Sequence, residues 1–223
     1  MSTEEEAVAA EEAVAAPPAR RMRADAVRTR KALLKAAAEV FAEHGAEGSI
    51  AQIAARAGIG KGTVFRHFPT KEDLFAAIIS EAIDGLVTVG RRQAEQADAD
   101  TALLQFMSAG VDLYANNRAL AEALRMVSDV RHPEIQAGQE QLVATAETLA
   151  RRAQRDGSLR ADLNGQDVML LICGVYYTAA PLLAADPSAW RRYLRLTFDG
   201  MCATGTGPLP PALFHDSLLP TVR

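Results

Sequence analysis

The sequence predicts an all-α protein: a small three-helix unit near the N-terminus and a larger helical body behind it, about nine helices in all. Three observations predict this. Apolar residues recur at helical spacing from Asp25 to Ala203, with no strand-like alternation longer than a few residues. Residues 49–75, SIAQIAARAGIGKGTVFRHFPTKEDLF, hold two capping signatures around two short helical segments. The charge is also uneven. Residues 20–75 carry 11 Lys/Arg against 6 acids, a balance of +5, and the whole chain stands at −4, so the rest sums to −9. A basic module on an acidic body suits a nucleic-acid binder with a separate regulatory part.

At 223 residues the chain is too long for a lone three-helix unit. Residues 1–23 read as an acidic Ala/Glu tail with a basic end. Nothing in 1–19 is large and apolar, so disorder is expected there. Arg20, Arg21 and Arg23 form either an arm for phosphates or a solvated tether. The first helix is expected from Asp25 to His44, with Leu33, Ala37, Val40 and Phe41 as its core stripe and Gly45 ending it.

In the second helix, Ser49 and Gln52 make a capping box. Ile50, Ile53, Ala54 and Ala57 share one face, Gly58 ends the helix, and Ile59 plugs the angle to the next. Lys61 to Phe68 form a third helix anchored by Val64 and Phe68, and Pro69 stops it. Lys61, Thr63, Arg66 and His67 remain outward, all donors and none acidic, which suits a major groove and its phosphate borders. Residues 24–75 therefore read as a helix-turn-helix domain. Thr70 and Asp73 cap a long fourth helix reaching about Gln96, which opens the body domain of residues 76–203.

Further helices are expected from an Asp100 cap through Ala115, and from an Asn117 cap through about Val130. Another runs from His132-Pro133 to Gly157, and one from an Asn164/Asp167 box through about Ala184. The last starts at Asp186-Pro187 and ends near Ala203, and residues 204–223 read as a Pro/Gly-rich tail that packs loosely or not at all. The last two helices are apolar on two faces, so both faces must be covered. A two-fold four-helix bundle between subunits does this, with Leu171, Val175, Trp190, Leu194 and Phe198 as the expected homodimer interface. A helix central to a monomer is the alternative.

The stretch AQIAARAGIGKGTVFRHFPTKEDLF resembles the DNA-binding signature of the TetR family of transcriptional regulators, from about Arg28 through the start of the helix after Thr70. Ile53-Ala54, Ala57-Gly58, Gly62-Thr63, His67-Phe68 and Lys71-Glu72 match it together. Gly60 departs from the Ser or Thr that often caps the family's reading helix, and Ala46 from a larger apolar residue. The resemblance implies a repressor that binds a palindromic double-stranded DNA operator as a homodimer through its last two helices and is released by a small-molecule effector. By this resemblance Arg28, Ser49, Phe65, His67 and Lys71 meet the DNA backbone, with capping the sounder role for Ser49 and core packing an equal alternative for Phe65; Thr63 and Arg66, then Lys61, are the candidates for base edges. An effector pocket is implied in the body, with Phe106, Met107, Tyr114, Leu124, Met126, Tyr176 and Tyr177 as candidate lining, and Arg125, Asp129 and His132 as nearby polar groups. Core packing is the competing role for each apolar one.

Other chemistries find little support. Gly58 to Thr63 imitates a phosphate loop, but Gly62 follows the lysine where Ser or Thr is needed, and Ala55 stands where the first glycine should. His44, His67, His132 and His215 are scattered, and Cys173 and Cys202 read as two buried thiols, so no metal, no cofactor and no enzyme is expected. The acidic N-terminus is no signal peptide and no apolar run reaches membrane-spanning length, which suits a cytoplasmic protein. A constitutive architectural or protein-interaction module is the second function hypothesis, and an enzyme the third.

Overall fold

The computed structural model describes residues 18–95, 98–126, 132–202 and 207–211. These residues form nine α-helices. They are α1 (Pro18–His44), α2 (Ile50–Ala57), α3 (Lys61–His67), α4 (Lys71–Ala94), α5 (Ala99–Asn116), α6 (Arg118–Met126), α7 (Pro133–Arg155), α8 (Gly165–Ala179) and α9 (Trp190–Met201). Among them the sole β pairing is an isolated bridge between Leu159 and Cys202.

The local signals act as their chemistry requires. Ser49 and Gln52 close a capping box on α2, as Thr70 and Asp73 do on α4 and Asn164 and Asp167 on α8. Gly58 ends α2 in the left-handed conformation at φ 66°, where a side chain would be strained. Gly60 precedes α3 with no side-chain cap, the consequence of lacking a hydroxyl there.

Leu33, Ala37, Val40 and Phe41 of α1 are completely buried, and the Phe41 ring sits 4.6 Å from that of Phe75 on α4. Leu74 to Ile79 are six consecutive buried residues. Such a run exceeds a full helical turn, so the first half of α4 is surrounded on every side. It is the element shared by the small unit and the body, and one continuous apolar core runs from α1 to α9. A Cβ on Gly138 would lie 2.9 Å from Ile83 Cγ2, and one on Gly90 would lie 2.3 Å from Thr145 Cγ2. The two contacts advance together along both helices, so α4 and α7 run in the same direction.

Several expected boundaries move. α1 begins at Pro18 rather than Asp25, because proline is well suited to a first helical turn; residues 18–23 are therefore helix, while residues 1–17 lie outside the described residues. α5 takes Asp98 rather than Asp100 at its N-cap. Asn117 does cap α6, its Oδ1 accepting from the Leu120 N–H at 2.9 Å, but residues 127–131 lie outside the described residues. α8 ends at Ala179 instead of Ala184, giving way to a 3-10 turn over Ala180–Leu182 at Pro181, which lacks the N–H an α-helix would use. α9 starts at Trp190 rather than Asp186, because the Asp186 carboxylate accepts from the Ser188 N–H and hydroxyl, both at 2.8 Å, and holds a turn. The segment 207–211 is tied to the body, contrary to a loose tail: Arg160 donates to the Gly207 carbonyl at 2.9 Å and the Leu209 N–H donates to Asp162 at 2.8 Å.

Candidate nucleic-acid interface

α3 is short, so its placement depends on its anchors. Val64 is completely buried and Phe68 is 1% exposed. Both point into the core, leaving the opposite face to solvent. On that face Lys61 and Arg66 are exposed, Thr63 and His67 are partly exposed, and Phe65 is half exposed, ruling out the core role open to it from sequence. No acidic residue lies within α3.

α1 and α2 hold this unit rigid. Arg56 on α2 donates through both Nη atoms to the Glu43 carboxylate on α1, each at 2.7 Å. That fork geometry fixes orientation as well as distance. The bond keeps the Glu43 carboxyl below its ordinary pKa and raises that of Arg56. Spacing gave no hint of this pair, because its partners are on different helices.

The remaining candidates for the DNA backbone differ in setting. Arg28 is exposed near the start of the unit and pairs with Asp25 one turn back. Ser49 is exposed but spends its hydroxyl on the α2 cap. The Lys71 ammonium stands over the rings of Phe41 and Phe75, at 5.5 and 5.6 Å from their centres. Arg30, to which sequence reasoning gave no role, lies over Phe68 at 4.7 Å and stands 3.7 Å from Glu134 at the start of α7. His132, capping α7, stands 3.7 Å from Asp73 in the first turn of α4. The start of α7 thus meets α1 at Arg30 and the start of α4 at Asp73.

The residues expected to line an effector pocket differ in setting. Phe106 and Met107 are completely buried core. Tyr114 and Tyr176 stack at 5.5 Å, Tyr177 meets Tyr176 edge-on at 5.2 Å and is itself exposed, and the Cys173 thiol lies 3.8 Å from the Tyr114 hydroxyl. Burial raises the Tyr114 and Cys173 pKa values, so both stay protonated. Leu124 is partly buried against the core. The side chains of Met126 and Arg125, and all of Asp129, lie outside the described residues.

The expected homodimer residues need correction. Val175, Trp190, Leu194 and Phe198 are 2–4% exposed within this single chain. They pack inward, and Leu171 is partly buried with them. The outward apolar residues are Leu170 and Tyr177 on α8, Leu182 after it, and Leu196 on α9, exposed by 42 to 58%. A helix apolar on two faces does not show by periodicity which face is inner.

An exposed basic helix held at a tight turn by buried neighbours defines a helix-turn-helix DNA-binding protein. Comparison with known proteins gives the family. Residues 33–78 match the family model of bacterial regulatory proteins of the tetR family, and residues 98–203 match that of the C-terminal domain of SbtR-like transcriptional regulators. The chain is 42% identical over 64 residues to the transcriptional repressor BepR of Brucella suis, a match covering 28% of this chain and 31% of BepR. It is 34% identical over 87 residues to the repressor LfrR of Mycolicibacterium smegmatis, covering 39% of this chain and 46% of LfrR. The chain thus spans a third to under half the length of these relatives. A solved TetR transcriptional regulator from Streptomyces coelicolor is 27% identical, with a TM-score of 0.61, covering 79% of this chain and 99% of that one. The chain belongs to the TetR family of transcriptional regulators, and that family consists of regulators rather than enzymes.

Proposed function

We propose that the protein is a cytoplasmic, homodimeric, effector-responsive repressor that reads a palindromic operator. The observation carrying this reading is α3: Lys61, Thr63 and Arg66 lie outward while Val64 and Phe68 anchor the helix in the core. Two such helices on a two-fold axis would enter major grooves about 34–36 Å apart, or a multiple of that. The repressor names of BepR and LfrR support repression as the sign. The outward apolar faces of α8 and α9 supply the second-subunit contact, and α4, buried in both parts, would carry a change in the body to α3. An effector shifts that balance only through its differential affinity for the two states.

Selection of binding sites from random duplex DNA tests the reading. A palindromic consensus is expected. Recovery of no consensus, with binding that vanishes at moderate salt, would overturn sequence-specific recognition. The second reading, a constitutive module, is favoured by the complete burial of Phe106 and Met107 where an effector pocket was expected. Operator affinity that no body-domain ligand alters would decide for it.

A further inference from the structure

The first residues of α7 face two helices of the small unit. The Glu134 carboxylate stands 3.7 Å from the Arg30 guanidinium on α1, and His132 Nε2 stands 3.7 Å from the Asp73 carboxylate in the first turn of α4. The His132 Nδ1 is shut off from solvent and makes no hydrogen bond, so the ring is seated in the contact rather than laid over it. α7 itself belongs to the body. Gly138 lies so close to α4 that an added Cβ would stand 2.9 Å from Ile83 Cγ2. Glu134 precedes Gly138 by four residues, about 6 Å along the helix, so its position follows that of the body.

The two contacts restrain the small unit differently. The chain passes between the two parts along α4. The His132 contact falls on α4 itself, close to that axis, and restrains rotation about it little. Arg30 is on α1, beside the axis, so its contact with Glu134 acts with leverage. Arg30 also lies over the ring of Phe68, the residue that closes α3, at 4.7 Å from its centre. The restraint therefore reaches the end of the reading helix through one side chain. α6 also lies against α1, with Ala119, Leu120 and Ala123 buried. Apolar burial is non-directional and tolerates sliding, whereas opposite charges facing each other at fixed points select one register.

We infer that the start of α7 sets the half-site spacing that the dimer accepts. Glu134, acting through Arg30, and His132, acting on Asp73, are positioning residues: neither lies on α3, and together they hold each small unit at one angle to its body. In a dimer that angle fixes the separation and the relative rotation of the two α3 helices. One added base pair moves a half-site about 3.4 Å along the duplex and about a tenth of a turn around it. A small unit held at both places follows that displacement poorly, and a loosened one follows it at little cost. The inference rests on the dimeric, operator-reading proposal above and names what in this chain decides which palindromes are accepted.

Selection from random duplex DNA, run on the parent and on two variants, tests it. The parent should return one half-site sequence at one spacing, with duplexes one base pair longer or shorter bound at least about tenfold more weakly. The double variant His132→Gln/Glu134→Gln should return the same half-site sequence at several spacings, with discrimination against the altered spacers reduced to about threefold or less. Glu140→Gln removes an equal charge from an exposed position further along α7, so it should keep the parent spacing. A double variant with the single spacing of the parent overturns the inference and leaves the DNA-reading proposal standing. Relaxed spacing in Glu140→Gln also overturns it, since net charge rather than position would then be the cause. Loss of the half-site sequence from the double variant overturns it as well, because α7 would then act on the reading face itself. A parent that returns no palindrome overturns the proposed function, and this inference with it.

Discussion

The guanidinium of Arg30 lies 4.7 Å above the centre of the Phe68 ring. Phe68 is the buried residue that closes α3, so a side chain of α1 braces the end of the reading helix. The same guanidinium stands 3.7 Å from Glu134 at the start of α7. One residue therefore touches the reading helix and the body together.

Arg30→Ala should lower stability by about 0.5–1 kcal/mol, the usual worth of an exposed cation–π contact. It should also weaken operator binding by more than the loss of one distant charge, because α3 loses a brace. Urea unfolding measures the first effect and fluorescence anisotropy with a labelled operator the second. Operator affinity equal to that of the parent would show that Phe68 holds α3 unaided.

Arg66 and Lys71 should separate base reading from backbone attraction. Arg66 is exposed on α3 and Lys71 opens α4. Arg66→Ala should relax preference at one operator position by about 1–3 kcal/mol. Lys71→Ala should weaken all sequences alike and make the salt slope shallower by about one unit. Competition between operator variants at several salt concentrations distinguishes the two. Uniform weakening by Arg66→Ala would remove it from the base edges.

Leu196→Glu and Phe198→Glu should fail in different ways although they are two positions apart. Leu196 is 58% exposed and Phe198 4%. Leu196→Glu should give folded monomers, with helical circular dichroism retained and half the mass in light scattering. Phe198→Glu buries a carboxylate with no partner and should unfold or aggregate. A dimeric Leu196→Glu protein would move the interface off α9.

Those two residues also show where sequence reading stopped. The small unit was legible because its signals are local: Ser49 with Gln52, Gly58, Val64 with Phe68, and Thr70 with Asp73 each act within a turn or two. Val175, Trp190, Leu194 and Phe198, expected at a subunit contact, lie in the core instead, because α8 and α9 are apolar on both faces and α8 and the rest of the body decide which face is buried. The Arg56–Glu43 fork and the Arg30 brace were equally hidden, since each joins helices whose relative placement no spacing encodes.

Asp162 supplies a dependence on pH. Its carboxylate accepts from Arg160 Nε at 2.6 Å, from Nη2 at 2.9 Å and from the Leu209 N–H at 2.8 Å. The Arg160 bond first, and then the Leu209 bond, hold its carboxyl well below the usual carboxylate range. A depressed pKa in the folded state means that the group stabilises fully above its unfolded value, about 3.9, and that this is lost as pH falls below it. The tether of segment 207–211 should therefore hold in the folded protein to well below pH 4, while the stability it contributes is constant from pH 7 to 5 and falls progressively below about pH 4. Asp162→Ala should release the tether at every pH, moving the Leu209 amide resonance at pH 7 away from its position in the parent. The stability gap between parent and variant, measured by urea unfolding, should narrow from pH 7 to pH 3, with pH 3 chosen as about one unit below the unfolded value. A gap that stayed constant across that range would mean that Asp162 contributes through packing alone, and that its ionised form does not hold the C-terminal segment to the body.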